Sequence, residues 1–206
     1  MKNLTASLLV LLLFSCAGSQ TVQRPSPLAP ECWLSQPVIY RLRQSAQLEY
    51  QGKKEMLEGF MELDLTQDLT HLVIFNALGL TLLNIEIERH RYQLAETDSE
   101  SEDETPPNRR KQQFAAAVAT AVQHIFFSLE SNRKNYCRDN PPALAKFKGT
   151  PPRLTRISEN RQKPTWTVTY HDYDNDPAHR LPGRIILQNR KPDYRLTIWL
   201  HKAEVI

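Results

Sequence analysis

The chain has 206 residues, 40% of them hydrophobic and 24% charged, with a formal net charge of +3. That suits one globular domain with a tail, and its six glycines include no Gly-rich phosphate loop. No apolar stretch approaches the roughly 20 residues that a membrane-spanning helix needs. The charge is divided, with residues 1–105 holding 8 of the 26 Lys/Arg but 15 of the 23 Asp/Glu. A basic second half invites an anionic partner such as nucleic acid, lipid head groups or an acidic protein.

The first element is a leader. Lys2 precedes an apolar run from Leu4 to Phe14, and Leu13-Phe14-Ser15-Cys16 follows. That is the order of a secretory signal: charged region, apolar region, small residue at the cut. The last four residues resemble the lipobox of bacterial lipoproteins, with Leu13 at the leucine position and Ser15 as an accepted variant. The resemblance implies cleavage after Ser15 and acylation of Cys16. Several acyl chains on one residue anchor stably where one would not. Ala17-Gly18 follows instead of an Asp, the usual inner-membrane retention signal, so the resemblance implies an outer-membrane anchor with the domain facing the periplasm. Export argues against nucleic acid as the partner. The other reading is a soluble secreted protein with an unmodified cysteine.

Residues 1–15 are then the signal peptide and 16–32 the lipidated cysteine with a small, polar, proline-rich tether. Residues 33–206 form one domain. Two further cysteines, Cys32 and Cys137, either pair in an oxidising compartment or remain as buried thiols.

From Tyr40 to Leu94 the dominant period is two. Leu57, Gly59, Met61, Leu63 and Leu65 alternate with Glu58, Phe60, Glu62 and Asp64, predicting a strand with one apolar face. Thr66-Gln67-Asp68 is a turn signal. His71–Phe75 and Thr81–Glu88 predict two more strands, the latter with Leu83, Ile85 and Ile87 on one face, and Tyr92–Ala95 a short one. Residues 97–108 interleave five carboxylates with serines and end in Pro106-Pro107, which predicts a mobile acidic loop. Arg109–Glu130 changes period: Phe114, Val118, Ala121, Val122, Ile125 and Leu129 recur at three and four, an amphipathic helix. Its alanines permit close approach to a sheet. Asn132–Pro164 is proline-rich and predicts irregular chain with a strand near Arg153–Ile157. Strands return at Trp166–Tyr170, Arg184–Leu187 and Tyr194–His201.

The implied fold class is α+β. One helix of about 22 residues cannot cover a flat sheet of seven or more strands. The antiparallel sheet should therefore curl into a half-open barrel, with the helix in or over its concave face.

The segment Leu72-Val-Ile-Phe-Asn-Ala-Leu-Gly-Leu-Thr-Leu-Leu-Asn-Ile-Glu-Ile87 resembles the strand–turn–strand of LolA/LolB-type proteins. There an Asn/Ser-Pro-Leu-Gly turn joins two hydrophobic strands; here Ala77 replaces the proline. Lys148-Gly-Thr-Pro-Pro-Arg-Leu154, Leu181-Pro-Gly-Arg-Ile-Ile186 and Tyr194-Arg-Leu-Thr-Ile198 resemble a little-characterised family of outer-membrane lipoproteins related to that fold. Genes of that family often lie with aryl polyene and fatty-acid-type biosynthesis genes. The likeness spans roughly residues 40–206 and rests on short, mostly structural motifs. It implies a concave apolar surface that holds acyl chains.

The sequence supplies a physical reason for such a surface, because an inward lining of leucine, isoleucine and valine expels water from a lipid tail. The expected wall is Leu57, Met61, Leu63, Leu83, Ile85, Ile87, Leu196, Ile198 and Leu200 from strands, with Val118, Val122 and Ile125 from the helix. The same residues equally describe a filled core. Two functions follow: a carrier of a lipid, acyl chain or lipoprotein, or an interaction lipoprotein that docks an envelope protein.

Other chemistry is weakly signalled. Asp172, Asp174 and Asp176 copy the first half of a calcium loop, but Pro177 stands at the glycine position and Gly183 at the bidentate glutamate. A turn explains them better. His171 and His179 lack zinc-site spacing and a neighbouring cysteine. Ser128, Ser131 and Ser158 lack nucleophile-elbow surroundings. The chain is therefore expected to be no enzyme and to need no metal or cofactor. Trp199 beside Arg195 and His201 suits either the core or an edge facing a membrane or partner.

Overall fold

The computed structural model describes residues 33–95, 106–128, 143–149, 152–159, 161–173 and 181–206. A 3-10 turn at Trp33–Ser35 precedes five strands: β1 (Ile39–Tyr50), β2 (Lys53–Asp64), β3 (Leu69–Phe75), β4 (Thr81–Glu88) and β5 (Tyr92–Leu94). The helix α1 (Pro106–Val122) runs into a π-helical turn, Gln123–Phe127. Five more strands follow: β6 (Ala143–Lys148), β7 (Arg153–Glu159), β8 (Trp166–Tyr173), β9 (Pro182–Arg190) and β10 (Asp193–Val205).

All ten strands form one antiparallel sheet in the order β5-β4-β3-β2-β1-β10-β9-β8-β7-β6. Each half of the chain is a meander, and the two meet where β1 pairs β10, from Tyr40 opposite Val205 to Tyr50 opposite Tyr194. The sheet is open: β5 and β6 are its two edges. The helical segment leaves one edge and leads to the other.

Alternation decides which face is covered. Tyr40 and Leu42 of β1, Leu57, Met61 and Leu63 of β2, Leu72 and Ile74 of β3, and Leu83, Ile85 and Ile87 of β4 are buried. Arg41, Arg43, Glu58, Phe60 and Glu62 between them are exposed. Each large aliphatic side chain so covered contributes about 1.5–3 kcal/mol. On α1 the buried stripe is largely alanine, with Ala115, Ala119 and Ala121 beside Val122. Small side chains let the backbone lie close against its neighbours.

Turns are built locally. Gln51 and Gly52 both take positive φ, 50° and 74°, the two-residue turn that matches strand twist. Asp64 Oδ1 accepts from the backbone N–H of Thr66 at 2.6 Å and of Gln67 at 3.1 Å. At the next turn Asn76 Oδ1 accepts from Leu78 and Leu80 N–H, both at 2.9 Å, with Gly79 at φ 80°. Asn76 thus closes the turn with Ala77 in the proline position.

Two expectations need correction. The helix starts at Pro106, inside the loop expected at 97–108, because proline is tolerated in a first helical turn where no N–H is required. The expected irregular stretch 132–164 contains β6 and a longer β7, which pair from Ala143 opposite Glu159 to Lys148 opposite Arg153. Strand β6 buries Ala143 and half-buries Ala145 and Phe147, a small-residue alternation weak in hydropathy that suits an edge strand.

The end of the helical segment is tied on two sides. Tyr170 of β8 donates to the carbonyl of Ile125 at 2.7 Å. Trp33 is 1% exposed and meets Phe126 and Tyr170 edge-on, with centroids 5.9 and 6.1 Å apart. On the other side Arg89 pairs with Asp68 at 2.9 Å and donates to the carbonyl of Phe127. Gln123 donates to the carbonyl of Glu88 at 2.9 Å. Replacing Tyr170 by Phe leaves a buried carbonyl unpaired and should lower unfolding free energy by about 1–2 kcal/mol, read from denaturant melts.

Candidate functional site

Four strands and the helix converge on one cavity of about 60 Å³. Gln44 and Ala46 come from β1; Leu57, Glu58, Gly59 and Met61 from β2; Leu72 and Ile74 from β3; Leu196 and Ile198 from β10. Val118, Ala121, Val122 and Ile125 supply the helical wall. Its surface is almost wholly hydrocarbon. Only Gln44 and Glu58 bring polar side chains; Gln44 is 6% exposed, whereas Glu58 is exposed.

Of the residues expected to form an acyl-binding wall, Leu57, Met61, Val118, Val122, Ile125, Leu196 and Ile198 come together here. Leu63, Leu83, Ile85 and Ile87 lie in the filled core, and Leu200 packs against it half-buried. Leu83, Ile85 and Ile87 of β4 are at most 1% exposed, and α1 packs against this strand. The sequence reading did not single out Gln44, Ala46, Leu72, Ile74 or Ala121 as wall residues. Gln44 had a signal: it interrupts the apolar alternation Leu42, Ala46, Leu48. Cys16, Cys32 and Cys137 lie outside the described residues, as do Asp174, Asp176, His179, Ser131 and residues 96–105 of the acidic stretch.

The β3–β4 turn follows Ile74, the last residue of β3 on the cavity wall. Leu78 is 84% exposed and Leu80 61%, with Phe60 and Met56 also uncovered on β2. Phe60 and Phe75 pack edge-to-face across the strands at 6.0 Å.

Other sequence-selected residues are structural. Asp172 has φ 57° and pairs with Arg184 at 3.0 Å. Trp33 is core, Trp199 is half-buried, and Trp166 stacks on His124 with centroids 4.3 Å apart. Among the described residues no three His, Cys, Asp or Glu side chains gather as a metal site requires. No helix among them is long and apolar enough to cross a membrane.

Burial drives the His124 pKa down to about 4, and the nearby Glu159 carboxylate opposes the shift only in part. Glu159 itself accepts from Thr165 N–H and Oγ1 at 3.0 and 2.9 Å, which holds its carboxyl below the usual range.

Comparison with known proteins now has a geometry to bear on. The chain belongs to DUF3261, a family of proteins of unknown function. The match covers residues 41–202, from the start of β1 to near the end of β10. No curated protein matches the sequence. Among solved structures the chain is similar to NE2245, a LolA superfamily protein from Nitrosomonas europaea, with TM-score 0.52 and 8% identity over 82% of this chain and 87% of that one. A candidate outer membrane lipoprotein-sorting protein domain from Vibrio parahaemolyticus gives TM-score 0.47 at 8% identity, over 85% and 87%. A DUF1329 family protein from Desulfovibrio piger gives 0.39 at 6%, over 84% and 87%. At these identities the likeness is one of fold: the DUF3261 chain has a LolA-like open antiparallel sheet with one helical segment.

His124 generates a test in pH. Its folded pKa lies below the unfolded value of 6.5, so the neutral ring's contribution is complete above pH 6.5 and is lost as pH falls toward 4. Thermal melts of the native chain should therefore decline more steeply across that window than those of His124→Phe; equal slopes would show that the ring does not titrate this way.

Proposed function

We propose that this protein is a non-enzymatic carrier, held at the outer membrane by acylated Cys16, that binds an acyl chain between α1 and the sheet. The observation that carries this reading is the hydrocarbon-lined cavity under a helical segment, set in a LolA-like sheet. Water gains little in such a space, whereas a methylene removed from water gains about 0.8 kcal/mol. The exposed Leu78 and Leu80 of the β3–β4 turn give an anchored domain an apolar surface to press into the head-group region.

The cavity of about 60 Å³ is far below the roughly 300–1,000 Å³ of ligand pockets. Loading therefore requires α1 to move outward. Its far end is tied through Ile125, Gln123 and Phe127, and the π-helical turn there is a common site of local irregularity at functional positions. In this reading the turn is the hinge, and Val118 and Ala121 are the part of the wall that yields.

The same small volume favours a second reading, an interaction lipoprotein with a filled interior that docks an envelope protein. Binding separates the two. The full chain should enhance fluorescence of the neutral probe N-phenyl-1-naphthylamine, and hexadecanamide should displace it. Ala121→Leu, which fills the cavity, should weaken displacement at least tenfold while unfolding free energy stays within about 1 kcal/mol. A chain that binds neither probe nor amide is a scaffold. In a Cys16→Ser background, which removes the acyl anchor, Leu78→Asp with Leu80→Asp should lower co-flotation with phosphatidylglycerol liposomes several-fold without changing probe binding.

A further inference from the structure

Three features meet at Gln44, and none is explained by packing. Gln44 points to the covered face of β1, between Leu42 and Ala46, in a register otherwise apolar. Its residue is 6% exposed, and its Oε1 has no hydrogen-bond partner among the described residues. A buried acceptor left unpaired typically costs about 1–3 kcal/mol, and an aliphatic side chain would avoid that cost. The second feature lies across the strand pair, where Gln44 faces Gly59. A Cβ at Gly59 would sit 3.4 Å from Gln44 Nε2 and 3.2 Å from the carbonyl oxygen of Val73. The missing side chain leaves room for the amide, and both residues line the cavity.

The third feature is in the backbone. The β1–β10 register shifts between Arg43 and Gln44, with Arg43 opposite Lys202 and Gln44 opposite Leu200. His201 is the extra residue, and its Nε2 bonds Ser45 Oγ at 2.7 Å on the opposite face. Bulges re-aim side chains and often stand beside functional sites. This one changes the inward set of β10 from Leu196, Ile198 and Leu200 to Ala203. It does so at the residue pair that carries the unpaired amide.

Resting on the carrier reading, we infer that Gln44 is the polar end of the acyl site, accepting a hydrogen bond from an uncharged donor-bearing head group on the ligand. The unpaired atom is a carbonyl oxygen, so the matching group has an N–H or O–H: an N-acyl amide or a fatty alcohol. Among the described residues no Lys or Arg lines the cavity, and the one charged residue that does is the acidic Glu58. An ionised carboxylate or phosphate would therefore lose its hydration there without a counter-charge. The site takes one hydrocarbon chain with a neutral head and leaves anionic head groups outside.

The test compares ligands of equal chain length by displacement of N-phenyl-1-naphthylamine from the full chain. Hexadecanamide and hexadecanol, which carry a donor, should displace the probe about tenfold more tightly than methyl hexadecanoate, which only accepts. Ionised hexadecanoate should be the weakest. In Gln44→Met the donor preference should fall below about twofold, and its melting temperature should equal or exceed the native value because an unpaired polar group is gone. Gln44→Leu serves if the Met variant does not fold. Equal affinity of the native chain for amide and ester, or a preference that survives in the apolar variants, overturns this inference and leaves the carrier standing. Failure of every ligand and the probe to bind overturns the carrier reading itself.

Discussion

The pairing of β1 with β10 is the constraint on which the rest depends. The strands nearest the two ends of the described chain become neighbours at the centre of the sheet, so each five-stranded meander has a partner only when the last strand is in place. This pairing also sets Ile198 opposite Ala46 and Leu196 opposite Leu48, on the wall to which β2 and β3 contribute. The cavity wall is assembled from strands that lie at opposite ends of the sequence. Contacts of such separation close late and slowly, since chain entropy must be met before they reward it. Integrity of the interior thus rests on the whole sheet rather than on any one hairpin.

A second constraint follows from the topology. The helical segment begins after one edge strand and leads to the opposite one, so among the described residues a single helical segment is available to cover the apolar face of the sheet. Its alanine stripe brings it close, and its end is held by tyrosine, arginine and glutamine side chains that bond its last carbonyls or neighbouring ones. Ile85 and Ile87 are fully buried, while Val118, Ala121, Val122 and Ile125 border a void. Space left along one side of the helical segment distinguishes this interior from an evenly filled core.

Much of the architecture was legible in the chain itself. Alternation along Leu57–Leu65 and Leu83–Ile87 marked strands, and the three-and-four spacing from Phe114 to Ile125 marked the helix. The strand β6 escaped because alanines carry much of its covered face, and proline pairs flank it. Seven of the residues named from the pattern border the space between helix and sheet, because strand and helix periodicity identify the apolar face. That same signal could not divide the face into cavity and core, because inward positions on neighbouring strands read alike whether their far side meets another side chain or a void. Met61 borders the cavity while Leu63, two residues on, does not.

The sequence by itself determined the period of most elements and the turn residues such as Asn76 and Gly52, because these depend on neighbours a few positions away. Only the tertiary structure decided where space remains, and that Gln44 faces a glycine across the strand pair with its carbonyl oxygen unpaired. Register and packing density are properties of strands brought together from distant parts of the chain. No local pattern records which atoms will stand opposite one another once the sheet has formed.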